Sequence, residues 1–138
     1  MKRTRFKAFL IAALIILALT SAVNLLAAAE KSANSGPGPS ALPRIIDAGA
    51  DQCIPCKLMA PVLEELRTEY AGSLEVVFVD VWKKPEEGKK YQVRMIPTQI
   101  FYDASGKELY RHAGFLSKDD ILKKLAELNI QVKKAQKK

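Results

Sequence analysis

The stretch DQCIPCK, Asp51 to Lys57, contains both cysteines of this 138-residue chain. Cys53 and Cys56 are separated only by Ile54 and Pro55. Two cysteines at this spacing could form half of a zinc site, attach a haem covalently, form a structural disulfide, or act as a redox-active dithiol. The other residues of the chain separate these alternatives.

Three of the four alternatives lack support. A structural zinc ion needs four ligands, and His112 is the only histidine that could join the two thiolates. Haem attachment needs a histidine directly after the second cysteine, where Lys57 stands. A structural disulfide would close a very small loop and would remove little entropy from the unfolded chain. The spacing therefore favours a dithiol that cycles between reduced and oxidised forms.

The predicted position of the cysteines also favours thiolate chemistry. The apolar run at 44–49 predicts a buried strand that leads into the pair, and a helical spacing of apolar residues begins at Cys56. Cys53 would then lie just before a helix, where unpaired backbone N–H groups and the helix dipole stabilise a negative sulfur. Pro55 suits the first turn of that helix. We expect Cys53 to attack a partner disulfide and the more buried Cys56 to resolve the mixed disulfide.

Strands and helices are predicted to alternate around this pair. The order strand, helix, strand, crossover, strand, strand, helix implies a mixed sheet with helices on both faces. The predicted elements are a strand over 44–49, a helix from Cys56 to Tyr70, a second buried strand over 74–82, a short helix or irregular crossover over 83–93, a hairpin of strands 98–102 and 108–112, and a closing helix capped by Ser117.

The amino-terminal segment predicts an export signal or a membrane anchor. A basic stretch at residues 2–7 precedes 22 uncharged, mostly apolar residues at 8–29. The basic flank should stay in the cytoplasm while the following chain crosses the membrane. Ala27 and Ala29 offer a cleavage site, so removal and retention both remain open. The predicted organisation is a signal peptide or anchor at 1–29, a flexible linker at 30–43, a folded domain at 44–132 and a basic tail at 133–138.

The net charge of +7 lies at the ends of the chain. Four cationic residues at 2–7 and four at 133–138 leave a charge of −1 for everything between them. A nucleic-acid-binding domain would instead cluster Lys and Arg on a folded face. We therefore expect no nucleic-acid partner.

Two longer stretches extend the evidence beyond the cysteines. IIDAGADQCIPCKLMAPVLEEL and VRMIPTQIFYDASGKELYRHAGFLSKDDI together resemble the thioredoxin family. The resemblance implies an α/β, thioredoxin-like fold with a central mixed sheet of four strands, or five, flanked by helices and preceded by the signal or anchor helix.

The resemblance also implies roles for individual residues. Asp47, six residues before Cys53, matches a buried carboxylate that exchanges a proton with Cys56. Ile96, Pro97 and Thr98 match a cis-proline loop that faces the dithiol, and the backbone of Ile96 would pair with an extended substrate segment. The substrate-contacting residues implied in this way are Ile54, Pro55, Ile96, Pro97, Thr98 and Gly114.

Three positions depart from the family pattern. Gln52 stands where a tryptophan commonly precedes the first cysteine, and Ile54 stands where glycine is usual. Phe78 replaces a lysine that the family often carries near the buried carboxylate. Substrate preference, redox potential and proton handling are the properties that these changes affect.

The expected function is thiol-disulfide exchange with protein disulfides as substrates and a membrane or soluble thiol as electron donor. From the amino-terminal segment we expect a protein of the periplasm or another extracytoplasmic compartment, secreted or anchored, and we expect a monomer. The resemblance favours a reductase, because a proline before the second cysteine, here Pro55, is typical of the reducing members of the family, and no histidine, typical of the strong oxidants, lies between the cysteines. No cofactor beyond the Cys53–Cys56 pair and no metal is expected. The alternatives are a disulfide oxidant or isomerase, a non-catalytic binding or assembly module, and a metal chaperone that uses the two thiolates.

Overall fold

Residue 40 and residues 42–136 are described by the computed structural model. The predicted signal or anchor segment, nearly all of the predicted linker and the last two residues lie outside this range. Within it, no helix has the length and apolar character that crossing a bilayer requires. The elements are β1 (Arg44–Gly49), α1 (Ile54–Glu69), β2 (Glu75–Asp80), α2 (Pro85–Lys90), β3 (Thr98–Tyr102), β4 (Glu108–Ala113) and α3 (Lys118–Glu127).

The four strands form one mixed sheet in the order β2-β1-β3-β4. β1 runs parallel to β2 and antiparallel to β3, and β3 pairs with β4 as an antiparallel hairpin. The parallel pair is connected through α1, as parallel strands require a crossover. The predicted thioredoxin-like architecture with a four-stranded mixed sheet is therefore confirmed.

Alternation along the strands divides the core between the two faces of the sheet. On one face, Ile45 of β1 and Phe101 of β3 pack against α1 and α3 through Met59, Leu66 and Ile121. On the opposite face, a second cluster lies around the end of α2; it contains Ile46, Tyr91, Ile100 and Tyr102. Because side chains two residues apart share a face, the side chain of residue 47 lies on the same face as α1.

The prediction that residues 74–82 form a buried strand was wrong about burial. β2 lies at the edge of the sheet, and Phe78 at its middle is 38% exposed. A run of β-branched and aromatic residues predicts a strand, but its burial depends on which strand pairs with its far side. Within residues 42–136, no strand does.

Contacts with the domain extend beyond the predicted limits of 44–132. At the carboxyl end, the Lys133 N–H donates to Ser73 Oγ at 3.0 Å and the Ala135 N–H donates to the Glu69 carbonyl at 2.7 Å. At the amino end, the Ser40 N–H donates to the Ala104 carbonyl at 3.1 Å. The first residues of the predicted basic tail therefore pack on the carboxyl end of α1.

Candidate active site

Cys53 and Cys56 are joined by a disulfide at the amino end of α1. Cys53 is the N-cap residue in an extended conformation, and the Cys56 N–H points at its Sγ from 3.3 Å. Pro55 occupies the first turn of α1, where its missing N–H costs no hydrogen bond. The helix begins at Ile54, two residues before the predicted start, because its first turn includes Pro55. The end of the helix dipole that stabilises negative charge is therefore directed at Cys53 Sγ.

The two sulfurs differ only modestly in exposure. Cys53 is 9% exposed and Cys56 4%, and both pack with Ala50 against the half-buried Ile96. Cys53 is the more exposed of the two, but in the oxidised state both residues are largely covered. Ile54, by contrast, is 77% exposed beside them. A partner approaching Cys53 would therefore meet an apolar surface.

The Ile96–Pro97 peptide bond is cis, as the resemblance implies. The Gly114 N–H donates to the Pro97 carbonyl at 2.8 Å, and Gly114 has a φ of 106°, a conformation that side chains disfavour. Thr98 is buried, and its hydroxyl donates to the Met95 carbonyl at 2.6 Å. Gly114 and Thr98 therefore hold the loop, whereas the side chain of Ile96 packs directly on the cysteines.

Asp47 is fully buried in β1, between Phe78 on β2 and Gln99 on β3. The Gln99 Nε2 donates to Asp47 Oδ1 at 2.6 Å. Burial raises the pKa of Asp47 to about 6, and the hydrogen bond from Gln99 acts in the opposite direction. This carboxyl group can therefore exchange a proton close to neutral pH.

Gly49 connects Asp47 to the cysteines. Gly49 follows Asp47 by two residues on the same face of β1, and a Cβ atom at Gly49 would lie 3.3 Å from Cys56 Sγ and 2.9 Å from the Phe78 ring. Cys56 therefore occupies the space that a side chain at position 49 would fill, two residues along β1 from Asp47. A larger residue at position 49 would push Cys56 away from β1 and so away from Asp47.

Sequence reasoning missed both Gly49 and Gln99. Each left a signal: Gly49 ends an apolar strand directly before the cysteine loop, and Gln99 is the one amide in the run TQIFY, all of which is buried. A buried amide calls for a polar partner, which here is Asp47.

A cavity of about 320 Å³ opens beside Cys56. Cys56, Phe78 and Leu63 form part of its wall, and four charged residues also line it, namely Asp51, Lys57, Glu64 and Arg67. In the part of the chain that the structure covers, no group of three or more His, Cys, Asp or Glu residues is placed to hold a metal ion.

A dithiol at a helix amino end, a cis-proline loop packed on it and a buried acid behind it define a thiol-disulfide exchange site. The family model of thioredoxin matches residues 39–127, so this chain belongs to the thioredoxin family. Membership in this family, with a cysteine pair able to form a disulfide, makes it a thiol-disulfide oxidoreductase whose substrates are protein disulfides. Thioredoxins need no cofactor for this chemistry.

Individual relatives agree with the family assignment. The thioredoxins of Staphylococcus aureus strains Mu50 / ATCC 700699 and MW2 are each 37% identical over 78 residues, which cover 56% of this chain and 74% of the relative. A solved structure of a malarial protein superposes with a TM-score of 0.59 at 21% identity, covering 62% of this chain and 96% of that one. That structural likeness supports the fold alone.

Proposed function

We propose that this protein is a protein-disulfide reductase that acts outside the cytoplasm. The observation that carries the reducing direction is the electrostatic setting of Cys53. The backbone at the start of α1 faces its sulfur, whereas the residues between the cysteines, Ile54 and Pro55, are uncharged. A strong oxidant needs a reduced form that is exceptionally stabilised as the thiolate. Cys53 has the helix amino end for this purpose but no neighbouring cation between the cysteines.

The proposed reaction has two exchange steps. The Cys53 thiolate attacks one sulfur of the substrate disulfide, and the other substrate sulfur leaves as a thiolate that takes a proton from water. Cys56 then loses its proton and attacks Cys53 Sγ, which breaks the mixed disulfide and releases the second substrate sulfur as a thiol after protonation. The substrate gains two electrons, and the protein is left with the Cys53–Cys56 disulfide seen here. A thiol electron donor returns the pair to the reduced state.

The loop around Pro97 supplies the proposed substrate groove. Within the described residues, no hydrogen bond uses the backbone N–H or carbonyl of Ile96, so both can pair with an extended substrate segment. Ile54 and Met95 present exposed apolar side chains at the rim. Thr98 and Gly114 would act through the loop conformation rather than by direct side-chain contact. The groove therefore favours extended segments with apolar residues next to the cysteine.

The reduction potential of the Cys53–Cys56 pair tests the reducing direction. We expect a value close to that of thioredoxin, about −270 mV, whereas a value near −120 mV would be that of a strong oxidant and would overturn the proposal. The measurement is equilibration of the purified protein with glutathione or dithiothreitol buffers of known potential.

Two variants at position 54 provide a matched control for this measurement. Ile54→His places an imidazolium beside the Cys53 thiolate and should make the potential less negative. Ile54→Gln changes the polarity of the same exposed position without adding charge and should leave the potential close to that of the wild type.

The extracytoplasmic location is a separate proposal that depends on residues 1–29. The test uses the protein with a tag at its carboxyl end. When protease is added to spheroplasts of cells that express it, we expect the full-length protein to be digested. A variant that lacks residues 2–29 should remain protected. The mass of the mature protein shows whether the chain is cut after Ala29. Protection of the full-length protein would contradict the proposed location.

A further inference from the structure

Gln99 and Asp47 form a buried polar pair beneath α1. Both residues are fully buried, and the bond between Gln99 Nε2 and Asp47 Oδ1 is the single hydrogen bond that the side chain of either one makes within the described residues. Asp47 Oδ2 and Gln99 Oε1 are also buried, and neither has a hydrogen-bond partner there. An amide placed in an otherwise apolar strand is costly unless its polar atoms are used.

No charged side chain faces Asp47 from the neighbouring strands. Phe78 stands opposite it on β2 and Gln99 stands opposite it on β3. The titratable group that α1 places near Asp47 is Cys56, whose Sγ would lie 3.3 Å from a Cβ atom at Gly49. The remaining charged groups nearby line the cavity beside Cys56; they are Asp51, Lys57, Glu64 and Arg67. Gln99 is therefore the polar side chain that fixes the carboxyl group in place.

We propose that Gln99 is a positioning residue for proton exchange between Asp47 and Cys56, holding Oδ1 of the carboxyl group so that Oδ2 remains free to take and return the proton. This inference rests on the proposed dithiol reaction. It assigns to Gln99 a role beyond core packing.

An amide suits this task because its N–H group can donate to Oδ1 whether or not Oδ2 carries a proton. The structure shows this bond from Gln99 Nε2 to Asp47 Oδ1. When Oδ2 takes the proton, Oδ1 becomes a carbonyl oxygen that still accepts from Gln99, so the carboxyl group keeps its position in both states. An apolar side chain at position 99 would satisfy neither state, and a cation would hold the carboxyl group in its ionised form.

The proton balance follows the second exchange step. The Cys56 thiol gives its proton to Asp47 Oδ2, and the resulting thiolate attacks Cys53 Sγ. The bond between Cys53 and the substrate sulfur breaks, and its electron pair leaves with the substrate sulfur, which takes a proton from water. When a thiol donor later breaks the Cys53–Cys56 bond, Asp47 returns the proton to Cys56.

Gln99→Met tests the role because methionine has a similar length and no hydrogen-bonding amide. In the oxidised protein, we expect the pKa of Asp47 to rise by about one unit or more, because a hydrogen bond to the charged form is lost. The measurement is a titration of the Asp47 carboxyl carbon by NMR. At pH 7, a rise of one unit from about 6 lowers the ionised fraction of Asp47 from about nine tenths to about one half. Resolution of a preformed mixed disulfide on Cys53 should therefore slow about twofold at pH 7, more at lower pH, and should recover as the pH is raised.

Two controls separate positioning from packing. Gln131→Met, at an exposed glutamine, should change neither quantity. In an Asp47→Asn background, Gln99→Met should leave the pH profile of resolution unchanged, since there is no carboxyl group left to position.

An Asp47 pKa that is the same in Gln99→Met as in the wild type would overturn the inference. The inference would also fail if Gln99→Met changed the pH profile of resolution as much in the Asp47→Asn background as it does when Asp47 is present. The NMR titration requires no turnover. If the protein failed to reduce disulfides, the proposed function would fall while the titration would still report on the pairing of Gln99 with Asp47.

Discussion

Cys53→Ser is expected to abolish disulfide reduction, with a fall in rate of at least about 10³-fold, down to that of the uncatalysed exchange. The reason is that Cys53 Sγ is the sulfur at the helix amino end, and a serine hydroxyl at the same place is not ionised and is a poor nucleophile toward sulfur. The assay is the reduction of a protein disulfide such as that of insulin, with dithiothreitol as the terminal donor. Because the N-cap position accepts serine readily, the variant should fold normally.

Cys56→Ser is the matched partner of this variant. It keeps the nucleophile and removes the resolving thiol, so mixed disulfides between Cys53 and substrates should accumulate and can be identified by mass spectrometry. The double variant should form none.

The same pair of variants tests the alternative of a binding module. If Cys53→Ser and Cys56→Ser each kept full biological function, the catalytic assignment would be wrong and a non-catalytic module using the Pro97 loop would be favoured. If the single variants lost reduction as expected, the catalytic assignment would stand.

Features that depend on neighbouring residues could be predicted from the sequence. The strand at 44–49 was placed correctly because an apolar run bounded by turn residues is a local signal. The position of Cys53 before a helix followed in the same way from Pro55 and from the apolar spacing after Cys56. These features set the chemistry of the pair.

Features that depend on pairing between distant segments could not be predicted in the same way. Gln99 and Asp47 are 52 residues apart and meet because β1 and β3 are antiparallel neighbours with a particular register. The edge position of β2 likewise depends on the order of strands in the sheet. A shift of one residue in either register would reverse the face on which these side chains lie.

Phe78 shows how such a non-local contact changes chemistry. The thioredoxin pattern often has a lysine at this position, and a cation next to Asp47 would favour the ionised carboxylate. Here the ring of Phe78 stands opposite Asp47 and supplies no charge. Gln99 supplies a neutral hydrogen bond from the other side, which leaves burial as the dominant influence on the pKa of Asp47.

Burial of Asp47 also has a cost for stability, and its sign can be stated. The pKa is about 6 in the folded protein and near 3.8 in the unfolded chain. Between these values the folded protein holds a proton that the unfolded chain has released, so stability falls as the pH rises from about 4 to 6. Above pH 6 the full penalty remains, at about 3 kcal/mol for a difference of about two units.

Asp47→Asn should therefore stabilise the oxidised protein by about 3 kcal/mol at pH 7, since asparagine stays neutral at every pH. Apart from the charge, burying a protonated Asp47 and burying an asparagine should cost about the same free energy, because each places a hydrogen-bond donor without a partner in the core. The measurement is urea unfolding of both proteins at several pH values between 4 and 8. The stability of the variant relative to the wild type should increase as the pH rises from 4 to about 6 and should level off above that.

Asp103→Asn serves as the matched control of opposite sign. The hydroxyl of Ser105 is the largest of the influences that hold the pKa of Asp103 below its usual range, so its ionised form stabilises the fold and its contribution is lost as the pH falls. Asparagine at 103 should therefore destabilise the protein at pH 7. A difference in stability between Asp47→Asn and the wild type that does not grow between pH 4 and 6 would contradict the penalty assigned to Asp47. A confirmed penalty would mean that this protein gives up stability to keep an ionisable acid behind Cys56, which is the expected cost of a proton acceptor in a buried site.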